Sequence, residues 1–161
     1  MNERLPENLE PPRLVDGPEL LIAGLSEGYT RETSVAIPAL WQKFGPWIGR
    51  VPGQIGHTTY GVICNADDGN SFSYWCGVEV ADFSAVPAEL GRLTIPAAHY
   101  AVFAHRGHLS NLRRTFFTIY NKWFPESRWR IAKGPHFEKY GPDFNPRTGD
   151  GMLEIWVPVS A

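Results

Sequence analysis

Residues 151–159 read GMLEIWVPV, and the alternation in this stretch sets the reading of the whole chain. Leu153, Ile155 and Val157 alternate with Met152, Glu154, Trp156 and Pro158, the period of a strand with two unlike faces. Glu154, the one charge in the strand, therefore shares a face with Met152 and Trp156. Two readings follow. One is an edge strand with its carboxylate in water. The other is an acidic group on the floor of an aromatic pocket.

Outward from this strand, Asp143–Asp150 is a polar loop whose Asp150-Gly151 step is a hairpin signal. Trp129–Ala132 and Phe137–Tyr140 read as short extended pieces. Leu112, Phe116, Ile119, Tyr120 and Trp123 form the stripe of a helix, with Ser110 as its cap and Pro125 as its stop. Leu93–Ile95 and Tyr100–Arg106 are strand-like. The first half repeats this order. Glu19–Leu25 is a strand. Ile37, Leu40, Trp41 and Phe44 mark a helix capped by Ser34, with Pro38 in its first turn and Gly45-Pro46 at its end. Trp47–Gly56 reads as a loop. Strands at Thr58–Asn65 and Ser71–Val80 then flank a turn at Asp67–Asn70.

Short strings echo between the halves. ALWQKFGPW resembles TIYNKWFPE, TYGVI resembles KYGPD, and YWCGVEV resembles LEIWVPV. Such strings also arise by chance, but the shared order of elements argues for duplication. The expectation is an α+β fold of two βαββ units related by a pseudo-twofold axis. Each unit has antiparallel strands and one helix, and a ligand cleft lies between the units. The units span about residues 15–82 and 91–160 of a single domain, 15–161, behind a flexible arm, 1–14. This register gives Trp75 the place in the first half that Glu154 holds in the second, and so sets an aromatic face opposite a carboxylate.

Composition narrows the function. The chain has 161 residues, 43% hydrophobic and 20% charged, ordinary values for a soluble domain. Six Trp, six Tyr and nine Phe suit either an aromatic-lined site or a large aromatic core. A formal charge of −2 leaves no electrostatic footprint for nucleic acid. The basic run Arg113, Arg114, Lys122, Arg128, Arg130 and Lys133 reads as a solvated helix face. Cys64 and Cys76 are too few and too far apart for a zinc ribbon. His99, His105 and His108 lack matched ligands, and Asp143-x-Asn145-x-Arg147 has Arg where a calcium loop needs oxygen. No metal and no cofactor are expected. No signal peptide and no apolar run of about 18 residues are visible, so a cytoplasmic protein without a membrane span is expected.

The stretches IPAAHYAVFAHRGHLSNLRRTFFTIYNKWFP and GPHFEKYGPDFNPRTGDGMLEIWVPV resemble the GyrI-like small-molecule-binding domain, the effector-binding domain of AraC-type and multidrug-sensing bacterial transcription regulators. The resemblance covers about residues 15–160 and is strongest after Leu93. It implies the duplicated fold, a ligand held between the halves, and a buried glutamate in the last strand, which maps onto Glu154. An arm of residues 1–14 is too short for a helix-turn-helix, so direct DNA binding is not expected and a stand-alone member is.

A carboxylate in an aromatic pocket is costly without a counter-charge. A planar hydrophobic cation would supply one, and aromatic faces would add cation–π attraction. Trp75, Tyr140 and Trp156 are the favoured walls beside Glu154, with Tyr60, Phe103 and Met152 as further candidates. Tyr120 and Trp123, on the helical stripe, serve equally as core. The same groups can do chemistry, with Glu154 activating water and Tyr60 or Tyr140 assisting. The reading is thus a binding protein for a hydrophobic or cationic small molecule. The alternatives are a hydrolase of reactive cyclopropane-type molecules and a gyrase-protecting or other protein-interaction module.

Overall fold

The computed structural model describes residues 9–66 and 71–161. The expected turn at Asp67–Asn70 and the first eight residues of the expected arm lie outside them. In chain order the elements are β1 (Arg13–Gly17), β2 (Leu20–Thr30), α1 (Ile37–Phe44), β3 (Gln54–Cys64), β4 (Ser71–Val80), β5 (Gly91–Ile95) and β6 (Ala98–Arg106). Then come α2 (Leu112–Thr118), a π-helical turn (Ile119–Trp123), α3 (Phe124–Glu126), β7 (Arg130–Ile131), β8 (His136–Tyr140), β9 (Phe144–Asn145) and β10 (Asp150–Ser160).

Every strand pairing is antiparallel, and the fold is α+β. The main sheet runs β1-β6-β10-β8-β3-β4-β2-β5, with β7 and β9 pairing on β10. Its order reads alike from both ends. Each half supplies three adjacent strands, β3-β4-β2 and β8-β10-β6. The short leading strand of each half, β1 or β5, lies outermost on the other half.

Strand alternation gives the sheet two apolar faces. On one, α1 presses Leu40 and Phe44 onto Ala23, Tyr74, Cys76 and Val78. Burying each of those two helix side chains contributes about 1.5–3 kcal/mol. On the same face the second helix covers Ala101, Phe103, Leu153, Ile155 and Val157. The opposite face holds Ile22, Tyr60, Val62, Tyr100, Val102, Phe137 and Trp156.

Several local expectations are corrected. The arm does not stay free to residue 14: Arg13 opens β1 against β6, and Glu10 is ion-paired with Arg106 at 2.5 Å. Ser34 does not cap α1. It lies in a preceding 3-10 turn, Thr33–Ala36, and donates to the Arg31 carbonyl. Thr30 and Thr33, reciprocally hydrogen-bonded, fix the chain's entry into that turn. Ser110 is likewise inside a 3-10 turn, whose cap is His108 accepting from the Ser110 backbone. β3 starts at Gln54, inside the expected loop, with an irregularity between Gln54 and Thr59. Pro125 does not stop the helix at once. The turn before it widens to a π-helix, which relieves the clash of its ring with the carbonyl four residues back.

Candidate ligand-binding cleft

The stretch His136–Tyr140, HFEKY, forms β8 beside β3 at the middle of the sheet. Alternation sends His136, Glu138 and Tyr140 to the helix-bearing face and Phe137 and Lys139 to the other. α1 packs over β2 and β4, and the second helix over β6 and β10. The centre of that face, along β3 and β8, lies between the two helices, and this is the candidate cleft.

Glu138 is its floor. It is 6% exposed and accepts hydrogen bonds at Oε1 from the Tyr140 hydroxyl at 2.7 Å and the Tyr74 hydroxyl at 3.0 Å. The Trp41 indole N–H donates in turn to the Tyr74 oxygen at 3.0 Å. Among the described residues Oε2 takes no hydrogen bond and no cationic side chain pairs with the carboxylate, yet no buried polar atom is sealed off without a partner. Oε2 thus keeps a trace of solvent contact. Burial pushes the Glu138 carboxyl above its ordinary range, against the opposing pull of the two phenols. Burial beside Glu138 also raises Tyr74 and Tyr140, which stay protonated as donors.

Gly61 makes this arrangement possible. It faces Glu138 across the β3–β8 pair, and a Cβ there would collide with the Tyr74 hydroxyl and come within 2.6 Å of Glu138 Oε1. Aromatic rings surround the floor. Trp41 meets Tyr140 edge-on at 5.7 Å, and Tyr140 meets Phe144 at 4.9 Å. From the second helix, the Tyr120 hydroxyl lies 2.6 Å from His136 Nδ1. Burial lowers His136 to about 4 and raises Tyr120, so the ring is neutral and its Nδ1 can accept a hydrogen bond from the protonated phenol.

The expected site residues separate into several groups. Tyr140 and Tyr120 reach the cleft. Phe103 is fully buried beneath the second helix, with Trp123 edge-on at 5.2 Å, so both are core. Glu154, Trp156, Trp75, Tyr60 and Met152 belong to the face away from the helices. Glu154 is not the buried glutamate. Its side chain is 25% exposed and accepts from Arg13 at 2.9 Å and from the Trp156 indole at 3.0 Å. Nor does Trp75 lie opposite it. Trp75, Val62, Phe137 and Trp156 line up in one row across the sheet, and Gly77, Tyr60, Lys139 and Glu154 form another. Glu138, Tyr74, Trp41 and His136 were missed. The available signal was a glutamate between Phe137 and Lys139 with a tyrosine two residues on. Among the described residues no group of three or more His, Cys, Asp or Glu is placed to share a metal ion, and no helix is long and apolar enough to cross a membrane.

A family model described as the GyrI-like small molecule binding domain matches residues 10–160. The transcriptional regulator BrlR of Pseudomonas aeruginosa is 28% identical over 149 residues, which are 91% of this chain and 54% of that protein. A DNA gyrase inhibitor of Erwinia billingiae is 30% identical over 74 residues, 45% of this chain and 47% of that protein. The chain thus spans about half the length of the first relative and aligns with about half of the second. Among solved structures, SAV2435 bound to tetraphenylphosphonium superposes with a TM-score of 0.75 at 19% identity, covering 93% of this chain and 94% of the other.

Proposed function

The chain belongs to the GyrI-like small-molecule-binding family, and on that premise we propose that it binds hydrophobic organic cations in the cleft between α1 and the second helix. Glu138 is the counter-charge in this reading. The observation that carries it is a buried carboxylate among aromatic rings, with one oxygen taking no hydrogen bond and no cationic partner among the described residues. Such a group is costly when ionised and empty, and a cation removes the cost. The rings of Trp41, Tyr140 and Tyr120 add area and cation–π attraction, about 0.5–2 kcal/mol for each good contact. Selection by charge and aromatic surface tolerates many ligands. The tetraphenylphosphonium held by the similar fold is a ligand of this chemistry.

The test is a titration followed by tryptophan quenching, with tetraphenylphosphonium and the uncharged triphenylphosphine oxide as probes. The cation is expected to bind wild-type protein saturably and at least about tenfold more weakly, roughly 1.4 kcal/mol, in Glu138→Gln. Glu154→Gln should bind it as wild type does. Equal affinity of wild type and Glu138→Gln for the cation would overturn the proposal. Mass spectrometry of the same mixtures, and of mixtures with strained-ring electrophiles, tests turnover. A product formed by wild type and lost in Glu138→Gln would replace binding with hydrolysis.

A further inference from the structure

The face of the sheet away from the helices has its own cavity, of about 200 Å3, between Tyr60, Glu79, Tyr100, Phe137, Lys139 and Trp156. The chain at Gly17-Pro18 and Leu20 closes one side of it. Gly17 lies so near the Tyr100 ring that a Cβ would come within 2.7 Å of Tyr100 Cε2. Trp156 stacks on Phe137 at 5.2 Å and takes the Tyr100 ring at 5.3 Å. The cavity is therefore walled by rings.

Among the described residues its charged and phenolic groups make no hydrogen bond and no ion pair with the protein. Tyr60 and Tyr100 are 3% and 2% exposed, and among the described residues neither hydroxyl makes a hydrogen bond. Neither is sealed off, because no buried side-chain oxygen or nitrogen lacks both solvent and a partner. Burial raises Tyr60 to about 12, which keeps its hydroxyl a donor. Glu79 has no ion pair among the described residues. Lys139 has none either, and its Nζ sits 5.2 Å from the Trp156 ring centre. The carboxylate across the strand pair from Lys139 is Glu154, and Arg13 and the Trp156 indole hold it instead. One acid, one base and two phenols here converge on a space walled by aromatic rings.

We propose that this cavity is a second ligand site, for a small aromatic zwitterion, the class that includes the free aromatic amino acids. The ammonium pairs with Glu79, the carboxylate with Lys139, and the ring packs among Trp156, Phe137 and Tyr100. The size agrees: a cavity of about 150 Å3 takes benzene, and ordinary drug-sized pockets begin near 300 Å3. One ring with a short polar arm fills the space between those limits. The site stands on the face opposite the cleft and does not depend on how the cleft is read.

Calorimetric titration of L-phenylalanine, L-tyrosine and L-tryptophan tests the proposal, with 2-phenylethylamine, 3-phenylpropionate and L-alanine as analogues lacking the carboxylate, the ammonium and the ring. At least one amino acid is expected to bind saturably, with its single-charge analogues at least about tenfold weaker and L-alanine silent. Lys139→Met and Glu79→Gln should each weaken it by a similar factor. The conservative Tyr60→Phe should weaken it less, with circular dichroism confirming that each variant is folded. Saturating tetraphenylphosphonium and Glu138→Gln should leave the affinity unchanged. The proposal is overturned if none of the three amino acids binds, if the single-charge analogues bind as well as the zwitterion, or if tetraphenylphosphonium displaces it.

Discussion

At the scale of residues, the decisive group is Glu138, and one carboxyl should give two pH dependences of opposite sign. Its folded value is raised by burial above the ordinary carboxylate range. A raised carboxyl contributes stability at low pH that is lost as pH rises through the folded value. Ligand-free wild type should therefore lose stability through that window, while Glu138→Gln, whose amide oxygen can still accept from Tyr74 and Tyr140, should not. Thermal melts of the two proteins across pH check this, with the variant more stable on the alkaline side by roughly 2–4 °C for each kcal/mol recovered. Cation affinity should run the other way and rise with pH, because only the ionised carboxyl attracts the ligand. Sequence reasoning looked for such a group and chose Glu154. The alternation in GMLEIWVPV correctly paired Glu154 with Trp156 on one face. It could not show that Arg13, far away in the chain, pairs with Glu154, or that among the described residues Glu138 has no such partner.

At the scale of elements, β8 serves both faces. Its five residues put His136, Glu138 and Tyr140 into the cleft and Phe137 and Lys139 beside the second cavity. Such a strand needs a neighbour that leaves room for it, and Gly61 in β3 provides that. Gly61→Ala should push apart the Tyr74 and Glu138 side chains, at a cost of about 1–3 kcal/mol of the overpacking kind, and should weaken cation binding together with stability. Denaturant unfolding and the tetraphenylphosphonium titration measure the two effects. If Gly61→Ala kept wild-type stability and affinity, the contact network around Glu138 would have to be looser than described. Strands and both helices were legible from period and turn chemistry, and β4 was expected at Ser71–Val80, where it lies. The helix starts were not, because Ser34 and Ser110 are plausible caps by residue type, yet the chain enters both helices through 3-10 turns. β1 was missed because RLVDG, between Pro12 and Pro18, is too short to show a strand period of its own and becomes a strand only by pairing with β6.

At the scale of the whole molecule, the exchange of short strands ties the halves together. β1 completes the sheet beside β6, and β5 completes it beside β2. Each half alone would keep β3 on β4, or β8 on β10, but would bare the other edge of that strand and lose the short strand at its far side. Cutting the chain in the 81–90 connector should therefore give two fragments that are each unfolded alone and form a sheet when mixed. Circular dichroism of the fragments separately and together is the check, and a fragment folding by itself would argue against this interdependence. By itself the sequence determined the α+β class, the order of elements, the two helical stripes and the alternation that places each strand residue on one face or the other, because these depend on local geometry and near neighbours. The tertiary structure alone decided which carboxylate is buried without a counter-charge among the described residues, which rings surround it and which face holds the ring-walled cavity. Those depend on strand register and on contacts between residues far apart in the chain, such as Arg13 with Glu154 and Tyr74 with Glu138, which no local pattern encodes.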